Sequence, residues 1–240
     1  MRPGSSGASQ MTGNEVLDLE MKEIMRHVDH TLLKPFAAWE DIQQLCEEAV
    51  AYGAASVCVP PCFVKKIHDA YGSALTICTV IGFPLGYSTT AAKLAETRQA
   101  TEDGAAEIDM VVNIAEIKSG NYAAVAEEIR QLKQAVGDKI LKVIVETCYL
   151  TENEKVVLCR AVTAAKADYI KTSTGFGTAG AALEDIELFK RRIGPKVKIK
   201  AAGGIRTREA MEAFLAAGCD RIGSSSAAAL MKEEASAGGC

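Results

Sequence analysis

The sequence predicts a single (β/α)8 TIM barrel, and three observations carry that reading. Eight apolar, β-rich runs alternate with helical patterns along the chain. With strand ends near 30, 59, 83, 112, 146, 173, 203 and 224, neighbouring ends stand 21 to 34 residues apart, room for one helix and two turns each time. Parallel neighbours need such a crossover, and eight units in about 210 residues sit at the compact end of barrel size. The alternative, an open doubly wound sheet with a dinucleotide site, loses ground because no Gly-x-Gly-x-x-Gly follows the first strand.

Residues 1–13, rich in Gly and Ser, read as a disordered leader or an appended segment. The barrel is expected over 14–232, with a flexible tail at 233–240. The first strand is His27–Thr31. Trp39–Tyr52 repeats Ile42, Leu45 and Ala49 on one face and stops at Gly53, as a helix does. Strands follow at Ala55–Val59, Leu75–Gly82, Glu107–Val112 and Ile140–Glu146. Thr151-Glu-Asn-Glu154 is a capping box ahead of a Val156–Ala165 helix. After a strand at Asp168–Ser173, Leu183, Ile186, Phe189 and Ile193 form an apolar stripe that ends at Gly194-Pro195. Strand Val197–Ala202 precedes a stripe of Ala210, Phe214 and Ala217, closed by Gly218. Arg221–Ser224 is the last strand.

The chain has 240 residues, 48% apolar and 24% charged, with a formal charge of −4. That is an ordinary globular composition. No apolar stretch is long enough to span a membrane, and no apolar run opens the chain as a secretory signal would, so the cytoplasm is the expected compartment. The mild negative charge argues against nucleic acid as a partner but leaves room for a local anion pocket. Of eight cysteines, Cys58, Cys78 and Cys148 lie in or at the end of apolar runs, and Cys46 and Cys159 in helical patterns. They read as reduced, mostly structural thiols. No zinc site is expected, since Cys58 and Cys62 lack a second close Cys/His pair.

A barrel places its active site at the strand carboxyl ends, and side chains alternate along each strand. Alternation turns Lys198 and Lys200 inward on the seventh strand, and Lys171 with Tyr169 and Ser173 on the sixth. Asp109 faces inward on the fourth, and Lys142 with Glu146 on the fifth. Two lysines and an aspartate thus converge near the mouth. Burial and a neighbouring cation both disfavour an ammonium, which yields an amine partly neutral near pH 7 and nucleophilic toward carbonyls. Lys142 and Lys198, lower in their strands, read better as paired ions closing the barrel. For Lys171 and Lys200 the functional reading is favoured.

A second feature is an anion cradle. The seventh strand runs into Gly203-Gly204-Ile-Arg206, and the eighth into Gly223-Ser-Ser-Ser226 before a helical segment. The loops after strands seven and eight, with a helix amino terminus, form the recurrent phosphate site of barrels.

Six segments then resemble one family, deoxyribose-phosphate aldolase. They are Val28-Asp-His-Thr-Leu-Leu-Lys-Pro35, Ile81-Gly-Phe-Pro-Leu-Gly86, Glu107-Ile-Asp-Met-Val111, Lys142-Val-Ile-Val-Glu-Thr147, Lys171-Thr-Ser-Thr-Gly-Phe176 and Lys200-Ala-Ala-Gly-Gly-Ile-Arg206. The resemblance covers about residues 24–230. It implies a class I aldolase, free of metal and cofactor, that reversibly cleaves 2-deoxy-D-ribose 5-phosphate to acetaldehyde and D-glyceraldehyde 3-phosphate in deoxynucleoside breakdown. It also implies Lys171 as the Schiff-base lysine, Lys200 as the neighbour that lowers its pKa, and Asp109 as a proton relay with Lys200. Phosphate contacts carry over to Gly175, Gly203, Gly204, Gly223, Ser225 and Ser226, and Asp29 and Thr174 are placed near the substrate. The expected partners are small sugar phosphates and aldehydes, with a homo-oligomer, dimer or tetramer, and no membrane.

Some family members end in a terminal tyrosine that assists proton transfer, whereas the last tyrosine here is Tyr169. That task then falls to water and Asp109. Two rivals stand beside this reading: another Schiff-base barrel aldolase, and a non-catalytic sugar-phosphate-binding barrel.

Overall fold

The computed structural model describes residues 21–237. Eight strands close into a parallel barrel in chain order: β1 Val28–Thr31, β2 Ser56–Val59, β3 Ile77–Ile81, β4 Glu107–Val111, β5 Ile140–Ile144, β6 Tyr169–Lys171, β7 Lys198–Ala202 and β8 Arg221–Ser224. β8 pairs with β1, His30 opposite Ser224, so no sheet edge is left open. The helices are α1 Trp39–Tyr52, α2 Val64–Tyr71, α3 Thr90–Glu102, α4 Ile114–Lys118, α5 Tyr122–Val136, α6 Glu152–Ala164, α7 Leu183–Arg192, α8 Arg208–Ala217 and α9 Ala227–Ala237. None among the described residues is long and apolar enough to cross a membrane.

Local chemistry sets the helix ends. Gly53 closes α1 in the left-handed region, its N–H bonded to the Ala49 carbonyl. At α6 the capping box forms as expected: Thr151 Oγ1 accepts from Glu154 N, and the Glu154 carboxylate accepts from Thr151 N at 2.7 Å. The helix therefore starts at Glu152, directly behind its cap.

The two faces of the barrel wall differ in kind. Outward residues such as Val57, Ile108, Val143, Ile170 and Ile222 are buried in one large apolar cluster with the helices. Inside, Cys58, Cys78 and Val80 form a small apolar cluster among the described residues, with Leu33 and Phe83 against it. The remaining buried inward positions include Asp29, Glu107, Asp109, Lys142, Lys171 and Lys200. The core that holds the fold thus lies outside the barrel, and its interior is given over to charge.

Part of the segment read as a tail at 233–240 lies in helix. α9 continues to Ala237, with Lys232 paired to Glu48 of α1 at 2.7 Å and Glu234 near Arg208 at 3.4 Å. Those tertiary contacts support helix where composition alone reads as tail. The leader at 1–13 and the last three residues lie outside the described residues.

Candidate active site

Three carboxylates and four cations meet inside the barrel. Lys142 Nζ lies 2.5 Å from Glu107, 2.9 Å from Asp109 and 3.5 Å from Asp29. Lys200 is paired with Asp29 and, at 2.7 Å, with Asp109. Arg221 is paired with Asp29 and, at 3.1 Å, with Glu107. Lys171 has Asp109 alone, at 2.7 Å. Its β-strand partner is Lys200, directly opposite in register. Burying such ions costs several kcal/mol each, which only close pairing and hydrogen bonding offset.

The charges do not balance, and the imbalance singles out one lysine. Four cations face three carboxylates, and Lys171 is the cation with a single partner. Burial alone would lower the affinity of Lys200 for its proton, but Asp109 and Asp29 outweigh it and hold that amine charged well above the ordinary lysine range. Burial pushes the Asp109 carboxyl up, yet the ammoniums of Lys142, Lys171 and Lys200 hold it well below the usual carboxylate range. Lys142 is likewise raised, against its burial, by Asp109, Asp29 and the other anions around it.

Above Lys171 opens a cavity of about 210 Å³. Gly175, Gly203, Gly204, Gly223, Ser225 and Thr174 line it. Gly203 and Gly204 have φ of 86° and 80°, a region in which glycine carries no strain. Sequence reasoning did not single out Gly180, where a Cβ would stand 2.1 Å from the Gly203 carbonyl oxygen. A cue existed, because Gly180 ends a run rich in glycine, but only the fold shows which backbone it must clear.

Thr174 lines the cavity with its hydroxyl already engaged. It donates to Glu146 and accepts from Phe176 N at 3.0 Å, so it shapes the loop carrying Gly175. Glu146 is buried and sits in the left-handed region, φ 55°, with its carboxylate also accepting from Thr174 N.

Asp29 and Ser226 stand behind the cavity lining, and the expectation for Lys198 is corrected. Asp29 does not line the cavity: it is fully buried, and its carboxylate accepts from Ser56 at 2.7 Å and pairs with Lys200 and Arg221. Alternation places it on the inner face but one step too deep, and Thr31, two residues on, is the β1 side chain at the cavity. Ser226 also stands back. Its N–H donates to Ser224 Oγ and its carbonyl accepts from Leu230 N, so it begins α9. Lys198 is exposed, its Nζ 5.7 Å from the centre of the Tyr169 ring rather than in a buried ion pair. Lys198 opens β7 at the amino end of the barrel, where its side chain reaches solvent.

Cys58, Cys78 and Asp109 offer ligand atoms within 4.8 Å of one another. The Lys142 ammonium already donates to Cys78 at 3.2 Å and to Asp109 at 2.9 Å. A cation bound by these groups would have to displace it. The seven described cysteines are free thiols.

The DeoC/LacD aldolase family model matches residues 23–229. A deoxyribose-phosphate aldolase of Clostridium botulinum (strain Alaska E43 / Type E3) is 61% identical over 216 residues, 90% of this chain and 98% of that one. One of Clostridioides difficile (strain 630) is 53% identical over 214 residues, 89% of this chain and 98% of that one. The tetrameric deoxyribose phosphate aldolase of Aeropyrum pernix superposes with a TM-score of 0.83 at 29% identity, covering 95% of this chain and all of that one.

Proposed function

The chain belongs to the DeoC/LacD family of aldolases, and from that premise we infer that it reversibly cleaves 2-deoxy-D-ribose 5-phosphate to acetaldehyde and D-glyceraldehyde 3-phosphate through a Schiff base on Lys171. The observation that carries the assignment is the position of Lys171. It lies at the cavity floor and is the one interior cation held by a single carboxylate. A neutral amine there is a nucleophile for an aldehyde carbon.

The Lys171 lone pair adds to C1 of the open-chain sugar, and loss of water leaves an iminium. The C2–C3 bond then breaks as the C3 hydroxyl gives up its proton. Its electron pair moves into the iminium to form an enamine, and glyceraldehyde 3-phosphate departs. Protonation of the enamine carbon and hydrolysis return acetaldehyde and the free amine. Asp109 orients Lys171 and is itself held too acidic to store a proton, so with Lys200 it orders the water that carries one. General acid–base help of this kind contributes about 10²–10⁴-fold. Lys142 and Asp29 act as positioning residues beneath the pair.

The phosphate is assigned to the end of the cavity where the Gly203–Gly204 loop, Gly175, Gly223 and Ser225 meet the start of α9. Backbone N–H groups and a helix amino terminus favour an anion there. The tetrameric relative supports a homo-oligomer, dimer or tetramer, which sedimentation would test. The free thiols are consistent with residence in the cytoplasm.

Borohydride in the presence of acetaldehyde tests the reading directly. A two-carbon adduct on the Lys171 peptide is expected, with Lys171→Arg folded but inactive. An adduct on Lys200, with Lys171→Arg still active, would overturn it.

A further inference from the structure

Lys34 has no place in the account so far, although it belongs to the first of the six family-like segments. It sits on the loop after β1 and lines the same cavity as Lys171 and Arg206. The cavity lining holds these three cations and no carboxylate. Among the described residues neither Lys34 nor Arg206 forms an ion pair; the Lys34 ammonium instead lies 5.8 Å from the centre of the exposed Phe36 ring. An exposed cation–π contact is worth only about 0.5–1 kcal/mol, so it yields readily to an anion.

Topology puts Lys34 beside the phosphate end. Barrel closure pairs β8 with β1, His30 opposite Ser224, so the loop carrying Lys34 is the lateral neighbour of the loop carrying Ser225. On the other side β7 pairs with β8, Ala202 opposite Gly223, and delivers Arg206. The β8 loop thus lies between two loops that each bring one unpaired cation to the cavity. The backbone cradle alone offers dipoles, whereas a phosphate dianion also needs neutralising charge.

We propose that Lys34 is a specificity-determining residue, a second cation that with Arg206 flanks the substrate phosphate and sets the preference for phosphorylated over unphosphorylated sugars. The proposal rests on the aldolase reading and deepens it. Lys34 lies on the loop after β1 and takes no part in the bond-breaking steps, so its effect belongs in KM rather than kcat.

The test compares 2-deoxyribose 5-phosphate with 2-deoxyribose, and titrates inorganic phosphate by calorimetry, in the wild type, Lys34→Gln and Lys34→Arg. Losing one charge-assisted contact should raise KM for the phosphorylated sugar about tenfold or more and weaken phosphate binding alike. Turnover number and the unphosphorylated reaction should be unchanged, and Lys34→Arg should keep most of the preference. An unchanged substrate ratio in Lys34→Gln, or an equal loss on both sugars, would overturn the proposal. If the wild type cleaves neither sugar, the aldolase reading fails separately. Phosphate titration still decides on Lys34: equal affinity in wild type and Lys34→Gln, or no binding at all, counts against it.

Discussion

Lys171 and Lys200 donate to the same oxygen of Asp109, Oδ2, each at 2.7 Å. Two ammoniums on one oxygen repel each other, and the two lysines are not equally held. Lys200 has a second carboxylate in Asp29, and Lys171 has none. The shared oxygen therefore orients both amines, and the one with the single carboxylate is the one that opens onto the cavity.

Removing the second cation should expose this coupling. In Lys200→Leu the repulsion is gone, and Asp109 loses one of the three ammoniums that hold its carboxyl down. The pH dependence of kcat/KM should change, with activity near neutrality reduced at least about tenfold. An unchanged profile in an active variant would rule the coupling out.

Asp29 serves the same pair from below, without touching the cavity. Asp29→Asn leaves Lys200, Lys142 and Arg221 short of one buried anion. Breaking a buried pair in this way costs about 3–5 kcal/mol, so the melting temperature should fall clearly. Any folded, active fraction should show a near wild-type KM and a displaced pH profile. A large rise in KM at unchanged stability would return Asp29 to the list of substrate contacts.

Gly180 tests the phosphate end through its backbone. In Gly180→Ala the new Cβ would stand 2.1 Å from the Gly203 carbonyl oxygen, so one of the two loops must shift. A displacement near 1 Å can cost about 10²-fold in a positioned reaction. KM for the phosphorylated sugar should rise well above that for the unphosphorylated one. Equal effects on both would mean that the loops do not hold phosphate.

Alkali should destabilise the fold through three thiols outside the site. Burial pushes Cys46, Cys159 and Cys219 up to about 12 from an ordinary value of 9.0. Below about pH 9 all three are protonated folded or unfolded, and their contribution is fully present. Between about 9 and 12 only the unfolded chain ionises them, so stability declines as pH rises through that window. Urea denaturation from pH 8 to 11 should show the decline, and replacing the three by Ala or Val should flatten it. An equally steep decline in the triple variant would place its origin elsewhere.

Strand identity and side-chain direction were legible because the signal is local. Turning Ile108 and Met110 out turns Asp109 in, and the same rule brought Lys171, Lys200 and Lys142 to the inner face. The rule says nothing of height. That is why Asp29, on the correct face, proved too deep for the cavity, and why Lys198 was expected in an ion pair but lies exposed at the start of β7.

By itself the sequence determined the barrel, its eight strands, the inward charges and the glycine loops. Each of these is written in spacing of two or of about four residues, or in the tight turn that only glycine accepts. Only the tertiary structure decided who partners whom. Arg221 meets Glu107 across 114 positions of sequence, and Lys200 meets Asp29 across 171. Barrel closure creates those contacts by turning side chains of distant strands into one shared interior, and no local period in the chain encodes them. The excess of one cation that leaves Lys171 with a single carboxylate is a property of the closed barrel.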